Sequence, residues 1–390
     1  MNSENVSRTR RNDDVALAAL RASGPVTRLE LASLTGLAPS TLTGVLVRLE
    51  ERGMVRVSKE AAPGRGRPAR LFHFTGQEGR TVLVSVGRES VEVSALDADA
   101  NRQATATVAF DRTADDGPAD AVRRALDEAG IEDLAETHGD VVVATVSFPV
   151  HQGRRSKRTG RLPEGLQSRA KSLPRWIDAN LAELLSAAVG MTVHLENDAN
   201  LAALGEARYG AGKESVNFIH IDVVDGLGAG IVINTEVVQG AAGFAGEIAH
   251  THVNDDGPAC VCGSFGCFST QTSIYSIIET IKPAFEVEDL SLHDMAELAS
   301  LGDEVTLRAL HTYGEMIGRF VANACVILNP ELITVDSRLG AAGEPLRHGI
   351  RDALSHFAPG VAAEAVQIVP AQLRAPQLHG ALVLGNKART

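Results

Sequence analysis

The sequence has no run of eighteen apolar residues, so nothing in it predicts a helix that crosses a membrane. Its first residues, MNSENVSRTRRNDD, have no apolar stretch after the basic positions, which argues against an export signal. Cysteine is scarce, with 4 residues in a chain of 390. We therefore expect a cytoplasmic protein with reduced thiols, and the length allows two or three domains.

Charge is distributed unevenly along the chain. The 37 Lys and Arg and 49 Asp and Glu give a formal net charge of −12. Residues 1–80 nevertheless hold 13 basic against 8 acidic side chains, which leaves 24 against 41 for the rest of the chain. A basic segment joined to an acidic body indicates a polyanionic partner at one end only.

The cysteines are also clustered, because Cys260, Cys262 and Cys267 lie together in CVCGSFGC, a short distance after His250. Three thiolates and an imidazole at this spacing can converge on one tetrahedral Zn²⁺. Such a set leaves no position for water, so the metal would be structural. The alternative is a chance cluster of buried thiols. Cys325 lies in the apolar stretch FVANACVIL and is interpreted as a core residue.

Residues 13–58 predict three short helices followed by a hairpin. The helices are expected from Asp13 to about Ala22, from Thr27 to Gly36 with a capping box at Thr27 and Glu30, and from about Pro39 or Ser40 to Arg52 before Gly53. The third helix carries Ser40, Thr41, Thr43 and Arg48 opposite its apolar positions. Small hydroxyl residues there can approach base edges, which is typical of a DNA recognition helix; a plain three-helix bundle is the alternative.

A glycine- and arginine-rich loop follows, between predicted strands at Met54–Val57 and Leu71–Phe74. It contains Arg65 and Arg67, with Arg70 just beyond them, in the pattern of a winged helix-turn-helix wing. An Arg between glycines can enter a narrow minor groove, and Arg67 is the first choice for this role. A solvated basic linker is the alternative, and the N-terminal Arg8, Arg10 and Arg11 would either contact phosphates or form a disordered tail.

From Thr81 the pattern changes to that of an α/β protein. Three strands, a helix and a buried strand, VVVATVSF, predict a first lobe with a mixed sheet. Strands in VNFIHIDVV and AGIVIN begin a second lobe. Two α/β lobes that meet at a cleft typically bind a small molecule there.

Four segments, GRGRPA, ENDANLAALGE, GEIAH and CVCGSFGC, in this order and at these distances, resemble the ROK family of sugar kinases and sugar-responsive repressors. The resemblance implies an α/β fold in which a two-lobed actin-like ATPase (ribonuclease H-like) body follows an N-terminal winged helix-turn-helix, a module that the family's kinases usually lack. We expect the DNA-binding domain at residues 1–76, the first lobe at 77–197, and the second lobe with the zinc site at 198–390.

The resemblance also implies roles for single residues. Asn197 matches the family's sugar-contacting Asn, Asp198 its general base and Glu247 a carboxylate that bonds sugar hydroxyls. The implied zinc ligands are His250, Cys260, Cys262 and Cys267, with His250 favoured over His252 and also close to the sugar. Asp198 could instead, or in addition, cap the helix that begins there.

The glycine-rich turns that cradle ATP in ROK kinases are altered in this chain. Residues 85–90 read SVGRES, residues 224–230 read VDGLGAG, and Asp336 and Ser337 replace a late glycine pair. The new carboxylates oppose phosphate by charge. We therefore predict that the chain is not an enzyme and that Asp198 has no catalytic role.

The sugar contacts are altered as well, since Ser172 and Ser269 stand where the family commonly has Asn and Glu. The basic run Arg154–Arg161 is either a flexible loop or a site for an acidic effector. The prediction is a regulator, most often a repressor in this family, of carbohydrate-related genes. It would bind a double-stranded DNA operator as a homodimer or homotetramer and respond to a sugar or sugar derivative. The alternatives are an active sugar kinase with an added DNA-binding module, and a ligand-independent regulator whose body serves only oligomerisation.

Overall fold

A computed structural model describes most of the chain. The described residues are 12–13, 15–20, 23, 26–51, 54–60, 69–74, 80–87, 89–97, 100–111, 114, 116–132, 134, 139–147, 180–224, 226–241, 243–260, 262, 264–271, 273–285, 287 and 289–389. Several predictions concern residues outside these ranges: the arm Arg8, Arg10 and Arg11, Gly53, the loop residues Arg65 and Arg67, the basic run Arg154–Arg161, Ser172 and Asp225.

The N-terminal module packs helices against a small antiparallel sheet. Helical residues 12–13 and 15–20 precede β1 (Val26–Thr27), α1 (Arg28–Thr35), α2 (Pro39–Glu51), β2 (Val55–Glu60) and β3 (Ala69–Phe74), and the strand order is β1-β3-β2. The predicted capping box is confirmed, because the Thr27 hydroxyl accepts from the Glu30 amide and the Thr27 amide donates to the Glu30 carboxylate. Gly36, with φ 67°, ends α1 as expected.

The hairpin is longer than its predicted strands, because β2 and β3 pair over six residues each from Val55↔Phe74 to Glu60↔Ala69. The core of the module is formed by fully buried leucines on the helices, namely Leu20, Leu31, Leu42 and Leu49. Leu42 and Leu49 belong to α2 and point into this core. The opposite side of α2 therefore faces solvent, since the apolar positions of a helix lie on one face.

The first lobe contains a mixed sheet, as the sequence predicts, and this sheet has five strands. Its elements are β4 (Thr81–Val86), β5 (Ser90–Leu96), β6 (Arg102–Ala109), α3 (Gly117–Ala129), β7 (Val141–Val146), α4 (Leu181–Val189) and β8 (Val193–Asn197). The strand order is β6-β5-β4-β7-β8, with β4, β7 and β8 parallel. The carboxyl ends of these parallel strands therefore meet at one edge, and β8 ends there at Asn197.

The second lobe is built on another five-stranded sheet. It begins with α5 (Asp198–Tyr209), β9 (Phe218–Asp222), β10 (Gly228–Ile233), β11 (Glu236–Val237), α6 (Phe268–Gln271), α7 (Ile274–Ile281) and α8 (Leu292–Ser300). It continues with α9 (Glu304–Leu328), β12 (Leu332–Val335), α10 (Gly343–Phe357), α11 (Gly360–Ala365), β13 (Gln367–Pro370) and α12 (Pro376–Arg389). The strand order is β11-β10-β9-β12-β13, and β9, β12 and β13 are parallel. None of the described helices combines the length and apolarity needed to cross a bilayer.

The last helix packs against both lobes. Leu378, Ala381 and Leu382 of α12 pack in one buried cluster with Leu83 and Val143 of the first sheet. The contact between α12 and α5 is very close: a Cβ on Gly380 would lie 1.9 Å from the Leu201 carbonyl oxygen. The sequence does not predict this packing, because α12 is far along the chain from the strands of the first lobe that it contacts.

Candidate effector and metal sites

The ENDAN segment places Asn197 and Asp198 at the junction of β8 and α5. The Asn197 side-chain oxygen accepts from the amides of Ala199 and Asn200 at 2.9 and 3.2 Å, so Asn197 is the N-cap of α5. Asp198 is the first helical residue, and its carboxylate accepts from the Ala199 amide at 2.8 Å. The alternative prediction that Asp198 is the helix cap is therefore wrong.

Glu196 joins the two lobes beside this junction, a role that the sequence prediction missed. Its carboxylate is buried and accepts from the Asn197 amide at 2.9 Å and from the Asn200 side chain at 3.0 Å. The second carboxylate oxygen accepts a hydrogen bond from Gln239, which follows β11 in the second lobe. The ENDAN motif contained the signal, namely an acid at the end of a buried strand, but its partner Gln239 lies 43 positions away.

Glu247 lies in the turn that follows β11, with Asp198 as its electrostatic neighbour. Burial, followed by the charge of Asp198, raises the pKa of Glu247 to about 7. The adjacent Gly246 has φ 87°, and a Cβ there would lie 1.9 Å from the Ala229 carbonyl oxygen of β10. This close approach seats the turn against the second sheet, and Glu247 lies near enough to Asp198 to feel its charge.

The four predicted metal ligands come together in the second lobe. One ligand atom from each of His250, Cys260, Cys262 and Cys267 lies within 4.8 Å of every other. His250 Nδ1 is 3.4 Å from Cys260 Sγ, and Cys262 Sγ is 3.6 Å from Cys267 Sγ. Ligand atoms about 2.0–2.3 Å from one tetrahedral Zn²⁺ have separations of this size. The donor set and its spacing fit zinc.

The protonation of these side chains differs between the imidazole and the buried thiol. Burial lowers the pKa of His250, which favours the neutral imidazole that a metal requires. Burial, together with the neighbouring thiols, raises the pKa of Cys267 to about 12, so metal binding would have to displace its proton. His252 is engaged elsewhere: its ring nitrogens contact the Phe265 carbonyl oxygen at 2.9 Å and Asp255 at 2.8 Å.

Four of the side chains predicted to contact DNA, those of Ser40, Thr41, Thr43 and Arg48, belong to α2. Ser40 and Thr43 are exposed and Thr41 is half-buried. Arg48 instead pairs with the buried Asp13, with Nη2 2.6 Å from a carboxylate oxygen. This ion pair ties α2 to the first helical segment, which gives Arg48 a structural role as well as any contact with DNA.

Arg28 is a basic residue that the sequence prediction did not select. It is exposed at the start of α1, and its Nη1 donates to the Thr43 hydroxyl of α2 at 3.1 Å. The same hydroxyl donates to the Pro39 carbonyl oxygen at 2.9 Å. Arg28 therefore adds a positive charge to the surface that contains Ser40 and Thr43. The contact joins positions 15 apart, beyond the reach of a helical pattern.

An ion cluster lies at the carboxyl edge of the second sheet, where β9 and β12 end. Asp222 and Asp336 are both buried, and Arg338 donates to the two carboxylates at 2.7–3.2 Å. Gln377, at the start of α12, also reaches Asp222 at 3.4 Å. In open α/β sheets this edge is where nucleotides bind, so the guanidinium lies in the region where a ligand phosphate would be expected.

The comparisons with known proteins define the class of this chain. Residues 81–388 match the ROK family, and the chain belongs to that family. It is 24% identical over 372 residues to the xylose repressor of Bacillus subtilis, covering 93% of this chain and 91% of that protein. It is 23% identical to the DNA-binding transcriptional dual regulator NagC of Escherichia coli, covering 94% and 89%.

Two solved structures match this chain over different shares of its length. A ROK family transcriptional regulator described as a homologue of the E. coli MLC protein matches with a TM-score of 0.74 and 22% identity, covering 97% of both chains. A ROK family glucokinase from Streptomyces griseus, solved with glucose and AMPPNP, matches with a TM-score of 0.64 and 26% identity. That glucokinase is covered completely but spans only 79% of this chain. The body thus has the ROK, actin-like ATPase-type fold.

Proposed function

We propose that this chain is a sugar-responsive, DNA-binding transcriptional regulator of carbohydrate-related genes. The observation that carries the proposal is the helix-and-hairpin module joined in one chain to a ROK body. The family match begins at residue 81, and two relatives that also span more than nine-tenths of the chain are named as regulators. In this proposal residues 1–76 form a winged helix-turn-helix with α2 as its recognition helix.

The DNA contacts come from both parts of this module. Ser40, Thr41 and Thr43 approach the major groove, with Arg28 and Arg48 close to the phosphates. Arg65 and Arg67 of the loop between β2 and β3 enter the minor groove. The basic charge of residues 1–80, against the acidic remainder, supports this assignment because phosphate contacts supply much of the affinity for DNA.

The effector is a sugar or sugar derivative bound between the lobes. Asn197, Asp198, Glu247 and His250 are its proposed contacts. Carboxylates and amides accept and donate the hydrogen bonds that sugar hydroxyls need, and the Glu196–Gln239 bond brings the two segments together. Effector binding in this cleft shifts the relative orientation of paired modules in a homodimer or homotetramer, and hence their fit to two half-sites.

The body acts without kinase chemistry in this proposal. Arg338 is held between Asp222 and Asp336 at the sheet edge where a nucleotide would bind, and both acids are buried. A nucleoside triphosphate would have to displace Arg338 from both acids. Its phosphates would then face two unpaired carboxylates. Zn²⁺ bound by His250, Cys260, Cys262 and Cys267 has a structural role, since it fixes the segment that follows Glu247.

The proposal is tested by selection of the protein's own genomic fragments with the purified chain, followed by sequencing of the retained DNA. Two-fold symmetric sites, weakened by Arg67→Ala, are the expected result. Calorimetric titration with xylose and with N-acetylglucosamine tests the effector class, since the B. subtilis relative is a xylose repressor and another relative, 23% identical, is named the N-acetylglucosamine repressor of E. coli. Sugar-dependent ADP release from ATP, or the absence of any retained site, would contradict the proposal.

A further inference from the structure

One glycine in the N-terminal module has no explanation within the protein. Gly44 is in the interior of α2, where glycine is a poorer helix former than alanine. A Cβ at this position would meet only the side-chain nitrogen Nη1 of Arg48, at 3.4 Å, and Gly44 is not among the glycines with positive φ. Neither internal packing nor backbone conformation therefore requires a glycine here.

Gly44 lies at the centre of the side of α2 that faces away from the core. The buried positions of this helix are Leu42, Val45, Leu46 and Leu49. At 100° per residue, Ser40, Gly44 and Val47 form a line on the opposite side, with Thr43 beside it. Ser40 and Thr43 are exposed, and Val47 is 48% exposed.

This face lacks the side chains that read purines through paired hydrogen bonds. Arg48 is the only Arg, Lys, Asn or Gln in α2, and it pairs with Asp13 at 2.6 Å. The Thr43 hydroxyl already donates to Pro39 and accepts from Arg28, which leaves its methyl group for other contacts. Apolar contact with the 5-methyl group of thymine is the readout open to such a surface.

Charge complementarity favours duplex DNA as the occupant of this face. Residues 1–80 carry an excess of basic over acidic side chains, 13 against 8, while the rest of the chain is acidic. Arg28 is exposed at the start of α1 and bonded to Thr43, so a positive charge borders the line of Ser40, Gly44 and Val47. A phosphate backbone that passes Arg28 would bring base edges to α2.

We propose that Gly44 and Val47 determine which operator sequences this chain accepts. Gly44 lets the backbone of α2 approach the floor of the major groove, and Val47 contacts thymine methyl groups. This inference rests on the proposed DNA-binding function and deepens it, since it specifies half-sites that contain thymine beneath α2.

The first test of this inference is Gly44→Ala in the full chain, assayed by anisotropy on a duplex from the genomic selection. We expect at least a tenfold loss of specific affinity and less than a twofold change on non-specific DNA. The thermal unfolding midpoint should not fall, because alanine favours the helix. Gly360→Ala is the matched control: it is a helical glycine in the second lobe with nothing within 4 Å of a Cβ, and it should leave DNA binding unchanged.

The second test replaces thymines in each half-site one at a time by uracil, which lacks the 5-methyl group. The wild-type chain should lose about threefold to tenfold in affinity at the contacted thymines, and Val47→Ala should remove that loss. Wild-type affinity in Gly44→Ala, or equal uracil penalties in wild type and Val47→Ala, would overturn the inference while the regulator proposal stands. Failure of the wild-type chain to retain any site would overturn both.

Discussion

Arg338 Nη2 donates to both carboxylate oxygens of Asp222, each at 2.9 Å, although the two residues are 116 positions apart. The same guanidinium holds Asp336, so one cation pairs with two buried acids at the carboxyl edge of β9 and β12. This relationship explains how acidic residues remain buried at an edge where open α/β sheets commonly bind nucleotides. The chain supplies its own positive charge there.

The first prediction concerns the stability that this cluster contributes. Arg338→Ala leaves Asp222 and Asp336 buried without a cation, so we expect the free energy of unfolding to fall by about 3 kcal/mol. The loss is measured by urea denaturation of the body followed by circular dichroism. The triple variant Asp222→Asn, Asp336→Asn, Arg338→Met removes all the charges together and should recover at least half of the loss. A single variant as stable as the wild type would refute this account.

The second prediction concerns the metal. The purified protein should contain about one zinc per chain, and Cys267→Ser should abolish it. Cys325→Ser is the matched control, since Cys325 is buried in α9 outside the ligand cluster and should leave the metal in place. His250→Ala should lower zinc content while His252→Ala should not, because His252 is bonded to Asp255 and Phe265. Mass spectrometry of metals in the purified variants gives the answer.

The third prediction follows from the raised pKa of Glu247. Its folded pKa is about 7 against an ordinary value of 4.5, so between these pH values the folded state holds a proton that the unfolded state has released. The contribution of Glu247 to stability is therefore fully present below about pH 4.5 and is lost as pH rises through about 7. Glu247→Gln does not ionise, so its advantage over wild type should grow across this window to about 1–3 kcal/mol.

Thermal unfolding of the wild type and Glu247→Gln at pH 5, 6, 7 and 8 tests this prediction. Glu364→Gln is the control, because Glu364 is an exposed acid on α11 and should show no such trend. A stability difference for Glu247→Gln that stays constant from pH 5 to pH 8 would show that burial beside Asp198 does not retain the proton.

The fourth prediction concerns the contact between α5 and α12. A side chain at Gly380 would collide with the Leu201 carbonyl oxygen, so Gly380→Ala should lower the free energy of unfolding by about 2 kcal/mol. Gly360→Ala makes the same chemical change in open space and should be neutral or slightly stabilising. Chemical denaturation of the two variants compares them directly. Equal stability would mean that the helices can separate without cost.

The features that the sequence predicted are the local ones. The capping box at Thr27 and Glu30 joins residues three apart, and the cysteines lie in one short segment with His250 close before them, so side chains brought together by a turn are visible as a pattern. The lobes were also predictable, because buried strands are continuous apolar runs.

The features that the sequence did not predict are long-range. Arg338 meets Asp222 only because β9 and β12 are parallel neighbours, and Glu196 meets Gln239 only because the lobes face each other. The close contact between α5 and α12 depends on Gly205 and Gly380, because neither has a side chain to separate the helices. A glycine in the sequence does not indicate which helix will pack against it. The role of Arg28 was missed for the same reason.

The position of α12 also has a mechanical consequence. Near its start Gln377 reaches Asp222 in the second sheet, and near its end Arg389 donates to the Thr81 hydroxyl at 2.9 Å. Thr81 is the first residue of β4, directly after the segment that leads from the N-terminal module. Fourteen helical residues span about 21 Å, and a helix of that length behaves as a stiff rod. A displacement of the second lobe would therefore be transmitted along α12 to Thr81, where the body begins after the N-terminal module.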